Sequence, residues 1–234
     1  MKNRTKLRFF GAIVLVIGLI FGAVGCSSDN TTQKSAVEDG LGKLNNDIDG
    51  GKLVERKEVD GGRLTVVTIY STDYPVGSWQ ITKSKTLNFQ VALETGKGGE
   101  GAQVYVEHVH ADVSLLSSKN GLDGIKQDSM DDSMHSGPDP GFSISDGFPY
   151  QGIFVIEGYS DTLISGWGYQ YGEFGQSAIS EQRLTEKNLI KAGVKGNKIS
   201  FVYDLVIKYP GATGFHKVAV RSEFIVPVKS LQKN

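Results

Sequence analysis

AQVYVEHVHADVSLL, at residues 102–116, alternates between apolar and polar side chains. A period of two residues is typical of a β-strand with one buried face. The phase changes partway along, because Val106 shares a face with His108 and His110 whereas Val109 falls on the opposite face. A strand that keeps one apolar face towards a core must therefore contain a bulge or change faces within this stretch.

Further strand patterns lie on both sides of this segment. We predict strands at Leu64–Tyr70, Trp79–Thr82, Thr86–Glu94, Gly152–Tyr159, Ser165–Tyr171, Ile199–Tyr209 and Val218–Val228. Turn residues separate these segments, and no alternation with long helical patterns suggests a parallel sheet. The sequence therefore predicts an all-β fold, an antiparallel β-sandwich, with an immunoglobulin-like form preferred and a jelly roll as the alternative.

The N-terminus differs in composition from the rest of the chain. Four basic residues lie within positions 2–8, an uncharged and mostly apolar run follows from Phe9 to Gly25, and the single cysteine of the chain is Cys26. A basic head, a short apolar run and small residues form the pattern of a secretory signal. The sequence AVGC that ends at Cys26 resembles the lipobox of bacterial lipoproteins, with Ala23 at the position where Leu is most common.

This resemblance implies that residues 1–25 are a signal peptide and that Cys26 carries lipid after cleavage. The chain would then be anchored to the cell membrane on its extracytoplasmic face. With one cysteine the chain has no internal disulfide, which favours a Gram-positive cell. Because residues 1–25 hold four of the 25 basic residues and no acidic one, the mature chain has a net charge of −5. We therefore expect no nucleic-acid partner.

The rest of the chain divides into two predicted parts. Residues 26–62 are rich in Ser, Asn, Asp and Gly, and we expect a flexible tether there with a possible short helix that ends near Ile48. Residues 63–229 are expected to form the sandwich. Within them, residues 117–150 contain six Asp, and we expect a long acidic loop there.

His108 and His110 are the main candidates for a metal site. Residues i and i+2 of a strand project from one face about 7 Å apart, so two neutral imidazoles there can share an ion. Asp131 and His135 in the following loop would complete a Zn²⁺ site, whereas the methionines of that loop would suit copper. The alternative is that both histidines face solvent on the strand and bind no metal, and we expect no other cofactor.

Three aromatic residues form the second candidate site. Trp167, Tyr169 and Tyr171 would share one face if residues 165–171 form a strand. Such a row can serve as an exposed platform for a sugar or a peptide, or it can fill the core. Both interpretations remain open at this stage.

These observations favour binding over catalysis. The sequence contains no G-x-S-x-G elbow and no H-E-x-x-H motif, and no thiol remains once Cys26 is lipidated. We therefore expect a lipid-anchored cell-surface binding module that is not an enzyme, whose partners are the membrane, through its anchor, and a surface protein or glycan. The alternatives are a metal-binding lipoprotein that uses His108 and His110, and a hydrolase with a dispersed site.

Overall fold

The computed structural model describes residues 47–172 and 183–229. The expected signal peptide, Cys26 and the first part of the expected tether lie outside these described residues. Among the helices that the structure describes, none has the length and apolarity needed to cross a bilayer.

The prediction of an all-β fold is confirmed, since most described residues lie in two antiparallel sheets that enclose one main core. The strands are β1 (Lys52–Val59), β2 (Leu64–Ser71), β3 (Lys85–Thr95), β4 (Gln103–Ser117), β5 (Lys126–Ser133), β6 (Phe142–Ile144), β7 (Tyr150–Ile156), β8 (Val194–Lys208) and β9 (His216–Pro227), and the described α-helices are α1 (Asp161–Tyr171) and α2 (Glu186–Ala192). Sheet A has the order β1-β2-β3-β7. Sheet B has the order β5-β4-β8-β9, and β6 pairs with β4 beyond the end of β5. The choice between an immunoglobulin-like form and a jelly roll stays a prediction.

The expected change of phase in the first segment occurs as a bulge in β4. The register with β8 shifts between Val106 and His108, which leaves Glu107 as an extra residue. Val104 and Val106 are buried before the bulge, and Val109 is buried after it. The bulge therefore keeps the apolar residues directed at the core and turns His108 towards the outer face of sheet B.

The predicted boundary of the tether at residue 62 is wrong, because the last part of residues 26–62 belongs to the sandwich. Lys52–Val59 forms β1 and pairs with β2, and Ile48 is fully buried in the core. The Gly pairs at 50–51 and 61–62, which suggested flexibility, instead form tight turns with positive φ on either side of β1. β1 was not predicted because it is an edge strand in which charged residues outnumber apolar ones.

The expected acidic loop at residues 117–150 also contains regular structure. Lys126–Ser133 forms β5 and Phe142–Ile144 forms β6, and both pair with β4. β5 contributes little to the core, because Gln127 is its single fully buried residue and its aspartates are mostly exposed. A strand with so few apolar residues gives no alternation from which to predict it.

The segment predicted as a strand at Ser165–Tyr171 is helical. α1 begins after Ser160, whose hydroxyl accepts the Leu163 N–H at 3.2 Å, and it ends at Gly172, which has a φ of +71°. A Ser cap followed by Asp161 and a terminal Gly are helix boundary signals that outweigh a short aromatic alternation. Trp79–Thr82, also predicted as a strand, follows a 3-10 turn and is not a strand.

A buried polar network holds the end of the sandwich near β5 and β7. Trp79 Nε1 donates to Asn197 Oδ1 at 2.9 Å, and Asn197 Nδ2 donates to Gln127 Oε1 at 2.9 Å. Gln127 Nε2 in turn donates to the carbonyls of Ile81 and Glu157 at 3.0 and 2.9 Å. Because buried polar groups must be paired, this network fixes β5 beside the end of β7.

Two aromatic residues of α1 give a matched test of this corrected structure. Trp167 is 2% exposed within a second apolar cluster, whereas Tyr169 is 65% exposed. We expect Trp167→Ala to lower the free energy of unfolding by about 3–5 kcal/mol, and Tyr169→Ala to change it by about 0.5 kcal/mol or less. Urea unfolding of both variants measures this, and equal effects would contradict the helical packing.

Candidate functional site

The two histidines lie as predicted on one face of β4, together with a predicted loop residue. In the sheet register His110 is opposite Asp131 of β5, and His108 is opposite Asp204 of β8. His108 Nε2 contacts Asp131 Oδ1, and its Nδ1 lies 3.4 Å from Asp204 Oδ2. His110 Nε2 lies 3.0 Å from Asp112 Oδ2. Each imidazole therefore contacts a carboxylate on the outer face of sheet B.

Electrostatics favour the charged forms of His108 and Asp112. The hydrogen bond to Asp131 raises the pKa of His108, against the opposing effect of partial burial, and Asp204 adds to the increase. Partial burial alone would raise the pKa of Asp112, but hydrogen bonds from Lys126 and His110 hold it below its usual value. Both shifts favour ion pairs that attach β5 to β4, namely His108 with Asp131 and Asp112 with Lys126.

The predicted metal ligands do not form a metal site in the part of the chain that the structure describes. There, no group of three or more His, Cys, Asp or Glu side chains has the arrangement needed to hold an ion. His135 lies in the exposed loop after β5 and makes no hydrogen bond or ion pair with the other described residues. The Nε2 atoms of His108 and His110 each face a carboxylate, so metal binding would have to displace two contacts with carboxylates.

The predicted aromatic platform is divided by the helix. Trp167 is buried, and its ring packs at a tilt against that of Tyr171 one turn later, with centroids 4.4 Å apart. Tyr169 lies two residues from Trp167, which corresponds to a rotation of about 200° around a helix, and so points away from both. The three rings therefore do not form one flat exposed surface.

A strand at residues 152–159 was predicted from the sequence, but its position at an edge of sheet A, as the described residues show it, was missed. β7, with the sequence YQGIFVI, pairs with β3 on one side, and no described residue makes a backbone pairing with its other side. The edge strands β1, β5 and β9 all carry charged residues, and β6 has only three residues. Proteins usually protect sheet edges with charges or short strands, so a seven-residue uncharged edge is unusual.

Exposed apolar side chains lie along this edge. Ile153 and Val155 project from the outer face of sheet A and are 61% and 55% exposed. Ile153 also lines a shallow depression of about 400 Å³ on that face, next to Ile69 and the side-chain amides of Gln90 and Gln151. An exposed apolar group beside unpaired backbone is the combination found at protein-binding surfaces. We call this surface, residues 150–156 with the adjoining depression, the β7 edge.

Two carboxylates of β5 lie at the ends of the β7 edge. The hydroxyl of Tyr150, the first residue of β7, donates to Asp132 Oδ2 at 3.1 Å. The backbone N–H of Glu157, just after β7, donates to Asp128 Oδ2 at 2.7 Å. The uncharged strand is therefore bracketed by negative charge at both ends. The ten residues before Glu157, residues 147–156, are uncharged in the sequence, but this run alone does not show that β7 is a sheet edge.

Comparisons with known proteins add no functional information. No protein-family model matches the chain, and no curated protein matches it. A solved structure of a protein from Archaeoglobus fulgidus is 8% identical, with 73% of this chain and 97% of that chain covered and a TM-score of 0.27. A likeness at that score supports no argument about fold or function.

The ion pairs of His108 generate a pH prediction. A raised folded-state pKa means that the stabilisation is complete below the unfolded value of about 6.5 and is lost as pH rises through the folded pKa. We expect His108→Asn to remove this loss. The change in Tm across this pH range should then differ between the variant and the wild type by at most about 3 °C, because exposed ion pairs are weak. Thermal melts from pH 5.5 to 8.5 measure it, with His135→Asn as the control that keeps the wild-type profile. Identical pH profiles for wild type and His108→Asn would contradict the assignment.

Proposed function

We propose that the chain is a lipid-anchored protein on the extracytoplasmic face of the cell membrane, and that it binds another protein without catalysing a reaction. The sequence up to Cys26 supports the anchor. The observation that carries the binding role is the β7 edge, where an uncharged strand with unpaired backbone presents Ile153 and Val155 to solvent.

A protein partner fits the β7 edge better than a glycan does. The outer face of sheet A at the depression consists of aliphatic side chains and neutral amides, and the one aromatic ring that lines it, Phe89, is 3% exposed. A sugar would lack an accessible ring on which to stack there. An extended polypeptide would instead match the unpaired N–H and C=O groups of β7.

The position at which the described chain begins is compatible with this surface. The described chain begins at Asp47, whose N–H donates to the carbonyl of Ile225 on β9 at 3.1 Å. β1 follows, and in sheet A it occupies the edge opposite β7. The first described residue therefore lies beside β9, and the first strand of the sandwich lies at the edge of sheet A away from β7.

The two alternatives are less well supported by contacts. For metal binding, His108 and His110 are already paired with carboxylates. For hydrolysis, an Asp–His pair exists at Asp60 and His216, with 2.8 Å between Oδ2 and Nε2. In the described parts of the chain, however, no Ser, Thr or Cys side chain is hydrogen-bonded to a histidine that could activate it.

Photo-crosslinking in the native cells tests the proposed binding. A photoreactive phenylalanine analogue at Ile153 is expected to give a discrete adduct with another protein. The same analogue at Val54, a 40%-exposed residue of β1 on the same face but at the opposite edge, is expected to give none. Adducts at both positions or at neither would contradict the proposal.

The same cells test the anchor. The adduct at Ile153 should fractionate with the membrane, because two or three acyl chains bind a bilayer almost irreversibly. Cys26→Ala should release the protein or leave an uncleaved precursor. Unchanged processing and membrane association of Cys26→Ala would contradict lipidation at this residue.

A further inference from the structure

We propose that the partner is recognised as an extended segment that adds to sheet A as a new strand beside β7. The segment would be uncharged over about seven residues and would carry basic residues at both ends. This inference rests on the proposed function, because it specifies the chemistry of the partner at the β7 edge.

The backbone of β7 provides the main argument. Alternate residues of an edge strand direct both N–H and C=O away from the sheet. In β7 these groups have no backbone partner among the described residues, while β3 satisfies the other side along the whole strand. An added strand would satisfy these groups and would extend a four-stranded sheet to five strands.

The side chains determine which residues the added strand can carry. Gln151, Ile153 and Val155 alternate on the outer face, so the side chains of the added strand on that face would lie beside one amide and two aliphatic groups. A charged residue beside Ile153 or Val155 would lose solvation without gaining a partner. The central part of the segment is therefore expected to be uncharged and β-branched.

The charges at the two ends define the flanks. Seven residues of a strand span about 23 Å. Over this length Asp132 lies at the Tyr150 end and Asp128 at the Glu157 end, and each uses its Oδ2 atom for the hydrogen bond to β7. Basic residues at both ends of the segment would complement this field in either strand direction.

The same charges disfavour a second copy of this chain as the occupant. Antiparallel pairing of two β7 strands about a two-fold axis would place the Tyr150 end of one copy beside the Ile156 end of the other. Asp132 of each copy would then approach Asp128 of its neighbour. Because these carboxylates have like charge, a basic segment from a different protein fits the edge better.

A peptide-binding experiment on the full chain tests the inference. The probe is a fluorescent peptide of seven alternating Thr and Val residues between two pairs of Lys, and the charge control has Glu in place of every Lys. We expect the Lys peptide to bind at least tenfold more tightly by fluorescence anisotropy at low salt, and to weaken as salt rises.

Backbone methylation identifies the mode of binding. Two versions of the Lys peptide carry N-methyl groups at alternate central residues. One version is methylated at the odd-numbered central residues and the other at the even-numbered ones, which we call the two phases. Strand addition predicts a loss of tenfold or more for one phase and little change for the other, because only one set of N–H groups faces β7. Equal affinity of the two versions, or binding of the Glu peptide as tight as that of the Lys peptide, would overturn the inference.

Protein variants locate the binding and separate the inference from the proposed function. Val155→Lys should abolish binding of the Lys peptide, whereas Val54→Lys, on the same face at the opposite edge, should leave it unchanged. Thermal melts confirm that both variants fold.

If the full chain sediments as a dimer that Val155→Lys dissociates, a second copy is the occupant and the inference is wrong. If the crosslink at Ile153 forms but the two methylated peptides bind equally well, the proposed binding function is supported and strand addition is wrong.

Discussion

β4 pairs with β5, β6 and β8, and it does so with one extra residue at Glu107. The carboxylate of Glu107 binds Lys217 Nζ at 2.7 Å through both oxygens, and its carbonyl accepts the Met134 N–H at 2.9 Å. These contacts hold the bulge between β6 and β5 on one side and β9 on the other. Without the bulge, the part of β4 after Glu107 would turn its histidines towards the core. Because this part pairs with β5, the placement of β5 and of its carboxylates depends on the bulge.

The four long edges of the sandwich are protected to different degrees. β1, β5 and β9 carry charged side chains, and Glu55 of β1 lies on the same face as the buried Thr68 of β2. Inward charges and exposed charges both discourage pairing with another chain. β7 has neither, although the same sequence protects its other edges. This contrast within one molecule supports the proposal that the β7 edge is a binding surface rather than a general weakness of the fold.

Much of the fold could be predicted from the sequence because its central strands are buried on one face and therefore alternate. The bulge in β4 is an example, since the alternation of apolar and polar residues changes phase at His108 in the sequence itself. β1 and β5 could not be found in this way, because edge strands rich in charge lack the apolar period. The i, i+2 spacing predicted that His108 and His110 share a face, and the structure places Asp131 beside them. The β7 edge was missed because the position of a strand within a sheet is a tertiary property that no local pattern encodes.

Amide hydrogen exchange resolved by NMR along β7 tests the central claim most directly. If the β7 edge is free in the full chain, alternate amides within residues 150–156 should exchange within minutes, while the amides between them and those of β2 stay protected by the sheet. Protection of every amide in β7 would show that another part of the chain already covers this edge, and it would contradict the account of β7 as the binding surface.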